Sequence, residues 1–288
     1  MAAVFTVGFF AVVEVALAVA EDDWSELYSG DPGYDWRLKP NLDLHSVPHI
    51  EEGTSFSVQT NTNGLRDDPI PASKPWVLAL GCSTTFGWGV DNEEVWTEVL
   101  EERLGLPVVN AGIPGHSTVQ GMGWGKALMQ RSPSVVLLGW GLRDAQRTTV
   151  PDADRRPTPF PRNTRLYRTL SQWVLSPPVG TQPRVAEGRY RDNMAEMITY
   201  AKTLGIKVLL VDMTARSESP NHGQVLQRLE SSVFVPELSD ADHFENDPIH
   251  LNVQGHRKFA SQIAGSVKAL LSSSTAAQPP EPALPQTP

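Results

Sequence analysis

The sequence predicts an α/β fold, a three-layer α/β/α sandwich built on a mostly parallel central sheet. Two observations lead to this prediction. Short apolar runs alternate along the chain with longer segments whose apolar residues recur every three to four positions, as expected for buried strands joined by helices that cover both faces of a sheet. The chain has 288 residues, of which 40% are hydrophobic and 20% charged. This composition supplies a substantial core and argues against wholesale disorder.

Five apolar runs are predicted as strands and four periodic segments as helices. The predicted strands are residues 76–81, 107–112, 134–141, 206–213 and a weaker 233–235. The predicted helices are residues 92–104, 118–130, 185–204 and a last helix that Asn252 caps and that carries Phe259, Ile263, Val267 and Leu270 on one face. Ligands of such sheets bind at the carboxyl ends of the strands, so the residues that follow each strand are the candidates for function.

The first twenty residues indicate export. Residues 2–20 are almost wholly apolar and end in Ala18-Val19-Ala20, the small-x-small pattern that signal peptidases cleave. We therefore predict a signal peptide or membrane anchor at residues 1–20, and a periplasmic, secreted or membrane-anchored protein. No Lys or Arg precedes the apolar run and Glu14 interrupts it, so a buried helix of the fold is the alternative.

Two further segments flank the predicted domain. Residues 21–58 are predicted to form an N-terminal extension, which aromatic side chains anchor against the domain. These side chains are Trp24, Tyr28, Tyr34 and Trp36. Residues 272–288 are small, polar and rich in proline, which is typical of a disordered tail.

Charge and cysteine content exclude several classes of function. The net charge is −9 and the pI near 5.3, which argues against a nucleic-acid partner. The single cysteine, Cys82, excludes an intramolecular disulfide framework and a multi-cysteine zinc site. His116, His243 and His256 show no ligand spacing, so no metal or cofactor is predicted. For His116, a pocket-lining role and a surface role are both open; His256 is predicted to be structural.

Two blocks at the strand ends carry hydrolytic chemistry. The first predicted strand runs into Gly81-Cys82-Ser83, where a turn into a helix exposes a serine hydroxyl and offers backbone N–H groups to an oxyanion. Near the other end, Asp247 precedes His250 by three residues, so its carboxylate can fold back onto the imidazole and fix its tautomer. Each block alone is also compatible with an ordinary turn or loop.

Two more strand ends complete the pattern. Asn110-Ala111-Gly112 ends the second predicted strand, and Gly141-Leu142-Arg143-Asp144 ends the third. In this order, the four blocks resemble those of the SGNH (GDSL-type) hydrolase family. The lead-in QTNTNGLRDDP at 59–69 also resembles that of a large exported bacterial subgroup of the family. The resemblance covers about residues 55–270, implies a flavodoxin-like topology, and places the SGNH domain at 59–271.

The resemblance implies a mechanism. Ser83 is the nucleophile, His250 takes its proton, and Asp247 orients His250. The backbone N–H groups of Ser83 and Gly112 hold the oxyanion, with a third donor expected at Arg143.

The sequence departs from the family at two positions. Cys82 replaces an aspartate and is expected to be a small packed residue, not a nucleophile. Arg143 replaces the asparagine that supplies the third oxyanion donor. Its guanidinium is expected in the pocket, where it donates to the oxyanion, binds an anionic part of the substrate, or pairs with Asp144.

Residues 145–184 form a long insertion after the third predicted strand. A short amphipathic stretch within it makes a lid or substrate wall one interpretation and a plain surface insertion the other. The apolar residues of that stretch are Tyr167, Leu170, Trp173 and Val174.

Together these observations predict an exported serine esterase of SGNH type that hydrolyses O-acyl esters, with O-acetyl groups on glycans as the preferred substrate class. A lipase or thioesterase is the alternative among enzymes. A catalytically impaired SGNH domain that binds glycan or acyl ligands is the alternative from another class, and Arg143 is the residue that favours it. The predicted partners are an ester substrate and, through residues 2–20, a membrane; the oligomeric state is left open.

Overall fold

A computed structural model describes residues 8–10, 12–13, 15–16, 24–31, 33, 35–73, 75–155, 180–217 and 221–273. In chain order the strands are β1 Tyr28–Asp31, β2 Asp35–Leu38, β3 Asp43–His49, β4 Thr54–Gln59, β5 Val77–Gly81, β6 Val108–Gly112, β7 Val135–Gly139, β8 Arg147–Thr148, β9 Gln182–Pro183, β10 Lys207–Val211 and β11 Ser232–Phe234. The helices are α1 Trp24–Leu27, α2 Ser83–Phe86, α3 Trp96–Leu104, α4 Thr118–Met129, α5 Leu142–Ala145, α6 Glu187–Thr203, α7 Asn221–Leu226 and α8 Val253–Ser272. Short 3₁₀ helices lie at Asn92–Glu94, Asp152–Asp154 and Asp240–Asp242.

The core of the molecule is a five-stranded sheet in the order β11-β10-β7-β5-β6, and every pair in it is parallel. The first strand of the sheet along the chain, β5, has β6 on one side and β7 on the other, so the direction of winding reverses at β5. Ligand sites of open α/β sheets lie at the carboxyl end of such a switch point. The predicted fold class, a parallel α/β/α sandwich of flavodoxin-like topology, is confirmed.

Side chains of alternate strand residues divide the core into two layers, as the period of two along a strand requires. Leu78 and Leu80 of β5 join the cluster under α4 and α6. Val77 and Ala79 join the opposite cluster, under α3 and α8. Because both faces are covered, the central strands read as continuous apolar runs, which is why the sequence marks them clearly.

All five predicted strands and all four predicted helices are present, and Asn252 accepts a hydrogen bond from the Gly255 N–H at the start of α8. One helix differs from the prediction. Residues 92–104 form a 3₁₀ turn, an extended residue at Val95 and then α3. The Trp96 N–H donates to Nδ1 of His256 at 3.1 Å, so this side chain takes the place of the preceding helical turn.

The N-terminal extension forms two antiparallel hairpins, β1–β2 and β3–β4, which the sequence did not predict. Their apolar side chains pack with Phe86, the last residue of the helix that Ser83 begins, and with Trp88 just after it. Trp36 anchors the extension as predicted, because its Nε1–H donates to the Pro114 carbonyl at 3.1 Å and its ring lies edge-on to His116. The Trp24 side chain and Tyr34 lie outside the described residues.

The ends of the 145–184 insertion pair as β8 and β9. Residues 156–179, and with them Tyr167, Leu170, Trp173 and Val174, lie outside the described part of the chain, so the lid stays a prediction. Of residues 1–20 the structure describes seven, all helical, with Phe9 and Val12 exposed. Within the described residues no helix has the length and apolar character needed to cross a membrane. Of the predicted disordered tail, residues 274–288 lie outside the described part.

Candidate active site

Ser83 lies at the carboxyl end of β5, where the strand turns directly into α2. The turn is tight because Gly81 carries no side chain: a Cβ there would lie 2.1 Å from Thr85 Oγ1 and 2.9 Å from the Gly139 carbonyl oxygen. Ser83 is the first residue of α2, and the first N–H groups of a helix have no acceptor within it. The sequence therefore places both a hydroxyl and an N–H donor at the switch point.

A chain of hydrogen bonds links Ser83 to a carboxylate. The Ser83 Oγ–H donates to Nε2 of His250 at 2.8 Å. Nδ1–H of His250 donates to Oδ2 of Asp247 at 2.5 Å. Asp247 also accepts a weaker bond from the Ile249 N–H at its Oδ1 (3.3 Å). All three predicted residues therefore converge, with an imidazole between a hydroxyl and a carboxylate, which is the geometry that activates a serine.

Burial and charge set the protonation states of this chain. Burial lowers the pKa of His250, and this effect outweighs the hydrogen bond and charge of Asp247, which raise it. Burial alone would raise the pKa of Asp247, but hydrogen bonds from His250 and His49 hold it well below its usual range. At neutral pH the site therefore holds a neutral imidazole, able to accept a proton, beside an ionised carboxylate.

His49 is a site residue that the sequence analysis missed. Its Nε2–H donates to Oδ2 of Asp247 at 2.9 Å, and its ring is fully buried. His49 lies at the end of β3 in the N-terminal hairpin, 198 positions before Asp247. No local motif marks it, so only the fold could reveal this contact.

One group of side chains within the described residues has ligand atoms close enough together to hold a cation, within 4.8 Å of one another. It consists of His49, Glu51 and Asp247. The contact between His49 and Asp247 is an N–H donor facing a carboxylate oxygen. A metal ligand needs the imidazole lone pair in that position instead. Glu51 is exposed, so the geometry is that of a hydrogen-bonded pair.

The N–H of Gly112, predicted as an oxyanion donor, has an acceptor of its own in this structure. It donates to Oδ1 of Asn110 at 3.0 Å within β6. The glycine is required for another reason, because a Cβ there would lie 2.3 Å from the backbone nitrogen of Phe86. The next glycine, Gly115, lies on the turn after β6 with φ +83°, and among the described residues its N–H meets no acceptor.

Arg143 lies on α5, at the carboxyl end of β7. Burial lowers the pKa of His250 and raises that of Tyr28, and the positive charge of Arg143 acts on both side chains, which places the guanidinium in the neighbourhood of the site. Nη1 donates to Gln146 Oε1 at 3.4 Å, and the buried Nε meets no acceptor within the described chain. The pairing of Arg143 with Asp144 is not observed.

Asp144 instead accepts hydrogen bonds from Oγ1 and the N–H of Thr118, at 2.5 and 3.0 Å. Burial raises the pKa of this carboxyl, and the two bonds only partly offset it. Of the three roles considered for Arg143, the ion pair is thereby removed and the two ligand-binding roles remain.

Cys82 and the remaining histidines have structural surroundings. Cys82 is fully buried with Sγ 3.4 Å from Thr84 Oγ1, as expected for a packed residue. Nε2 of His116 donates to the Trp36 carbonyl at 2.9 Å, and burial lowers its pKa to about 4. Nδ1 of His243 donates to the Ser239 carbonyl at 2.8 Å. His256 accepts from the Trp96 N–H, which confirms its structural role.

A serine that is hydrogen-bonded to a histidine, and through it to an aspartate, at the end of a parallel α/β sheet is an arrangement of the α/β hydrolases. Within that class the sequence profile of the "GDSL-like Lipase/Acylhydrolase family" matches residues 79–258. The chain belongs to this family, and the resemblance noted in the sequence is confirmed.

Several solved structures are similar to this chain. One described as TesA is 20% identical and covers 68% of this chain and 99% of its own, with a TM-score of 0.47. The psychrotrophic esterase EstA from Pseudoalteromonas sp. is 14% identical and covers 69% and 100%, with a TM-score of 0.47. A carbohydrate acetylesterase family member from Sinorhizobium meliloti is 14% identical, covers 69% and 100%, and has a TM-score of 0.44. Likenesses at this level do not transfer a substrate. No curated protein matches the chain.

Proposed function

We propose that this protein is a serine esterase that hydrolyses O-acyl esters, with Ser83, His250 and Asp247 as its catalytic residues. One observation carries the proposal: the continuous hydrogen-bond chain from Ser83 Oγ through His250 to Asp247. The neutral state of His250, which follows from the lowering of its pKa by burial, supports the same role, because a general base must be unprotonated at the working pH.

The reaction proceeds in two steps, acylation of Ser83 and deacylation by water. As Ser83 Oγ attacks the ester carbonyl carbon, its proton passes to Nε2 of His250. The tetrahedral intermediate collapses with cleavage of the carbon–oxygen bond to the alcohol, which leaves with that proton and gives an acyl-serine. Water then attacks the acyl carbon and gives a proton to His250, and the second collapse returns that proton to Ser83 Oγ and releases the carboxylic acid. Asp247 stays ionised and stabilises each imidazolium.

The oxyanion is held by backbone N–H groups and by Arg143 in this proposal. The Ser83 N–H begins α2, and the Gly115 N–H replaces that of Gly112, whose partner is Asn110. Arg143 fits as the third donor because its charge acts on His250 and its Nε is unpaired within the described residues. A preorganised donor of this kind contributes about 10²–10³ in rate.

The preferred substrate is an O-acetyl ester on a glycan. Ser83 exposes 1% of its surface and His250 6%, so the ester must reach a hydroxyl that is buried. The glycan follows from the proposed location outside the cytoplasm, which rests on residues 2–20 and the Ala18-Val19-Ala20 pattern. N-terminal sequencing tests the location: Glu21 as the first residue, or residue 1 in the membrane fraction, supports export. Residue 1 in a soluble cytoplasmic fraction contradicts it.

Turnover of p-nitrophenyl acetate and labelling by a serine-directed phosphonate test the activity. Ser83→Ala should abolish labelling and lower kcat by a factor on the order of 10⁶, as nucleophile loss does in other serine hydrolases. Cys82→Ser is the matched control and should retain both signals. Labelling that survives in Ser83→Ala would move the nucleophile elsewhere. Comparison of acetyl, butyryl and octanoyl esters then tests the short acyl group.

A second candidate function, a catalytically impaired domain that binds glycan or acyl ligands, is favoured by one observation, the arginine at position 143. Arg143→Asn separates the possibilities. If Arg143 is an oxyanion donor, this change should keep or raise turnover of a neutral acetyl ester. If it binds a substrate anion, the change should raise KM for an anionic ester alone. A wild-type protein that turns over no ester but binds acetylated oligosaccharides supports the binding domain instead.

A further inference from the structure

The N-terminal hairpin β3–β4 reaches the catalytic loop through polar contacts that the proposed mechanism does not use. Oδ2 of Asp247 accepts from both His250 Nδ1–H and His49 Nε2–H. Oε1 of Glu52 accepts the N–H groups of Asn246 and Asp247, the latter at 2.8 Å. The hairpin therefore holds the loop through the Asp247 side chain and through two backbone N–H groups. It precedes residue 79, where the family match begins, so the family resemblance gives it no role.

The surroundings of His49 fix the ring in one orientation. The Phe244 ring packs edge-on against it with a centroid separation of 4.6 Å. On another side, Gly89 approaches so closely that a Cβ there would lie 2.7 Å from the imidazole. Gly89 also has φ +94°, a conformation that glycine adopts without strain. The packing leaves the ring little freedom to turn away from Asp247.

The hydrogen bonds also settle the tautomer of His49. Nε2 faces a carboxylate and must carry the proton. Nδ1 is buried and meets no acceptor among the described residues, so a second proton there would be an unpaired buried donor, which is costly. His49 is thus a neutral donor to Asp247.

We propose that His49 is a positioning residue for catalysis, which holds the Asp247 carboxylate in place for His250 and makes the N-terminal hairpin part of the catalytic apparatus. The proposal rests on the proposed esterase function. His49 makes no hydrogen bond to Ser83 within the described chain, and it acts through Asp247. A carboxylate with two N–H donors on one oxygen has less freedom to rotate than one with a single donor.

The charged and titratable groups around the chain give the expected direction of a pH effect. Burial lowers the pKa of His250 and the positive charge of Arg143 acts in the same direction, whereas the hydrogen bond and charge of Asp247 raise it. Without the His49 donor, more of the negative charge of Asp247 is available to the His250 imidazolium. The acidic limb of the rate profile should therefore move to higher pH.

Two substitutions of equal length test the inference. Gln at position 49 keeps an N–H donor near the place of Nε2, whereas Met fills similar space without one. We expect His49→Met to lower kcat by about 10- to 100-fold, the effect of losing one hydrogen bond to a charged group, and to shift the acidic limb upward. His49→Gln should recover most of both. Val47→Ala, in the same strand with its side chain in the hairpin core, perturbs the hairpin without removing the donor and should leave the limb in place.

A readout that needs no turnover separates this inference from the proposed function. The proton NMR signal of His250 Nδ1–H reports the bond to Asp247 and should shift in His49→Met but not in Val47→Ala. If wild-type protein lacks turnover and Ser83 labelling, the esterase proposal fails. The His250 Nδ1–H signal then still tests whether His49 positions Asp247. Equal kcat and pH limb in His49→Met and wild type would overturn the positioning role. Equal impairment of the Met and Gln variants, with the same loss of stability, would also overturn it.

Discussion

Replacement of Arg66 should lower the stability of the fold, because its side chain holds the segment that follows Ser83. Arg66 is 2% exposed, and its guanidinium stacks over the Phe86 ring at 4.6 Å. All its donor nitrogens are used, in bonds of 2.6–3.0 Å to one side chain and four backbone carbonyls. The acceptors are Asn92 Oδ1 and the carbonyl oxygens of Phe86, Gly87, Val90 and Ser57. One side chain thus ties the end of α2 to hairpin strand β4.

The size of the effect follows from the groups left behind. Arg66→Met would leave three carbonyls without their donor, those of Ser57, Gly87 and Val90. The carbonyl of Phe86 keeps the Asn110 amide at 3.3 Å. Each buried unsatisfied group costs about 1–3 kcal/mol. Relief of the cost of burying a cation, several kcal/mol, offsets part of this. We expect a net loss of about 4 kcal/mol for Arg66→Met. For Arg66→Lys we expect about 2–3 kcal/mol, because an ammonium has three donors and no planar fork.

Urea unfolding measures the loss as a lower midpoint at unchanged slope. Arg131→Met is the matched control, because Arg131 is exposed and surface changes stay within about 0.5 kcal/mol. Against a typical stability of about 5–15 kcal/mol, the Arg66 effect is easily resolved. An Arg66→Met protein within about 1 kcal/mol of wild type would refute the reasoning that this network holds α2 in place.

Three further predictions concern pH and packing. The acidic limb of kcat/KM should lie below pH ~6.5, the ordinary value for histidine, because burial lowers the pKa of His250; a limb above that value contradicts the assignment. Gly112→Ala should destabilise the protein by about 1–3 kcal/mol, because the new Cβ would meet the Phe86 backbone. Gly265 is exposed within α8 with open space around it, so Gly265→Ala should stabilise the protein by up to ~1 kcal/mol. Thermal unfolding compares the two variants. Burial raises the pKa of Asp144, so the stability that its protonated form gives is present at acid pH and lost as pH rises through that pKa; unfolding measured against pH should show a smaller decline in Asp144→Asn.

The buried sheet was predictable because it is covered on both faces. Runs such as residues 76–81 are apolar throughout, as expected for strands of a parallel sheet that helices cover on both faces. The hairpins escaped prediction because their strands are only half buried, and the bulge between Leu44 and Val47 breaks the alternation in β3. The 3₁₀ break at Val95 depends on His256, which is distant in sequence.

The candidate site likewise contains residues that a local sequence pattern marks and residues that only the fold reveals. Ser83, Asp247 and His250 could be found because each belongs to a local pattern of small residues or fixed spacing. Gly112 and Gly115 could not be told apart, because the choice depends on whether Asn110 claims the N–H of Gly112. Contacts that join distant segments, such as that of His49, have no local pattern at all.

The distances along the chain between the site residues also set when the site can first exist. Ser83 and His250 are 167 positions apart, and His49 and Asp247 are 198 apart. Contacts of such long range close late in folding, because the loop entropy must be overcome first. During synthesis, Ser83 emerges long before His250. Strand β5 comes just before Ser83, and the four other strands of the sheet lie between Ser83 and His250 in the chain. On the proposed function, the nascent polypeptide therefore carries an inert hydroxyl, and hydrolysis can begin only when the loop before α8 has brought His250 to Ser83.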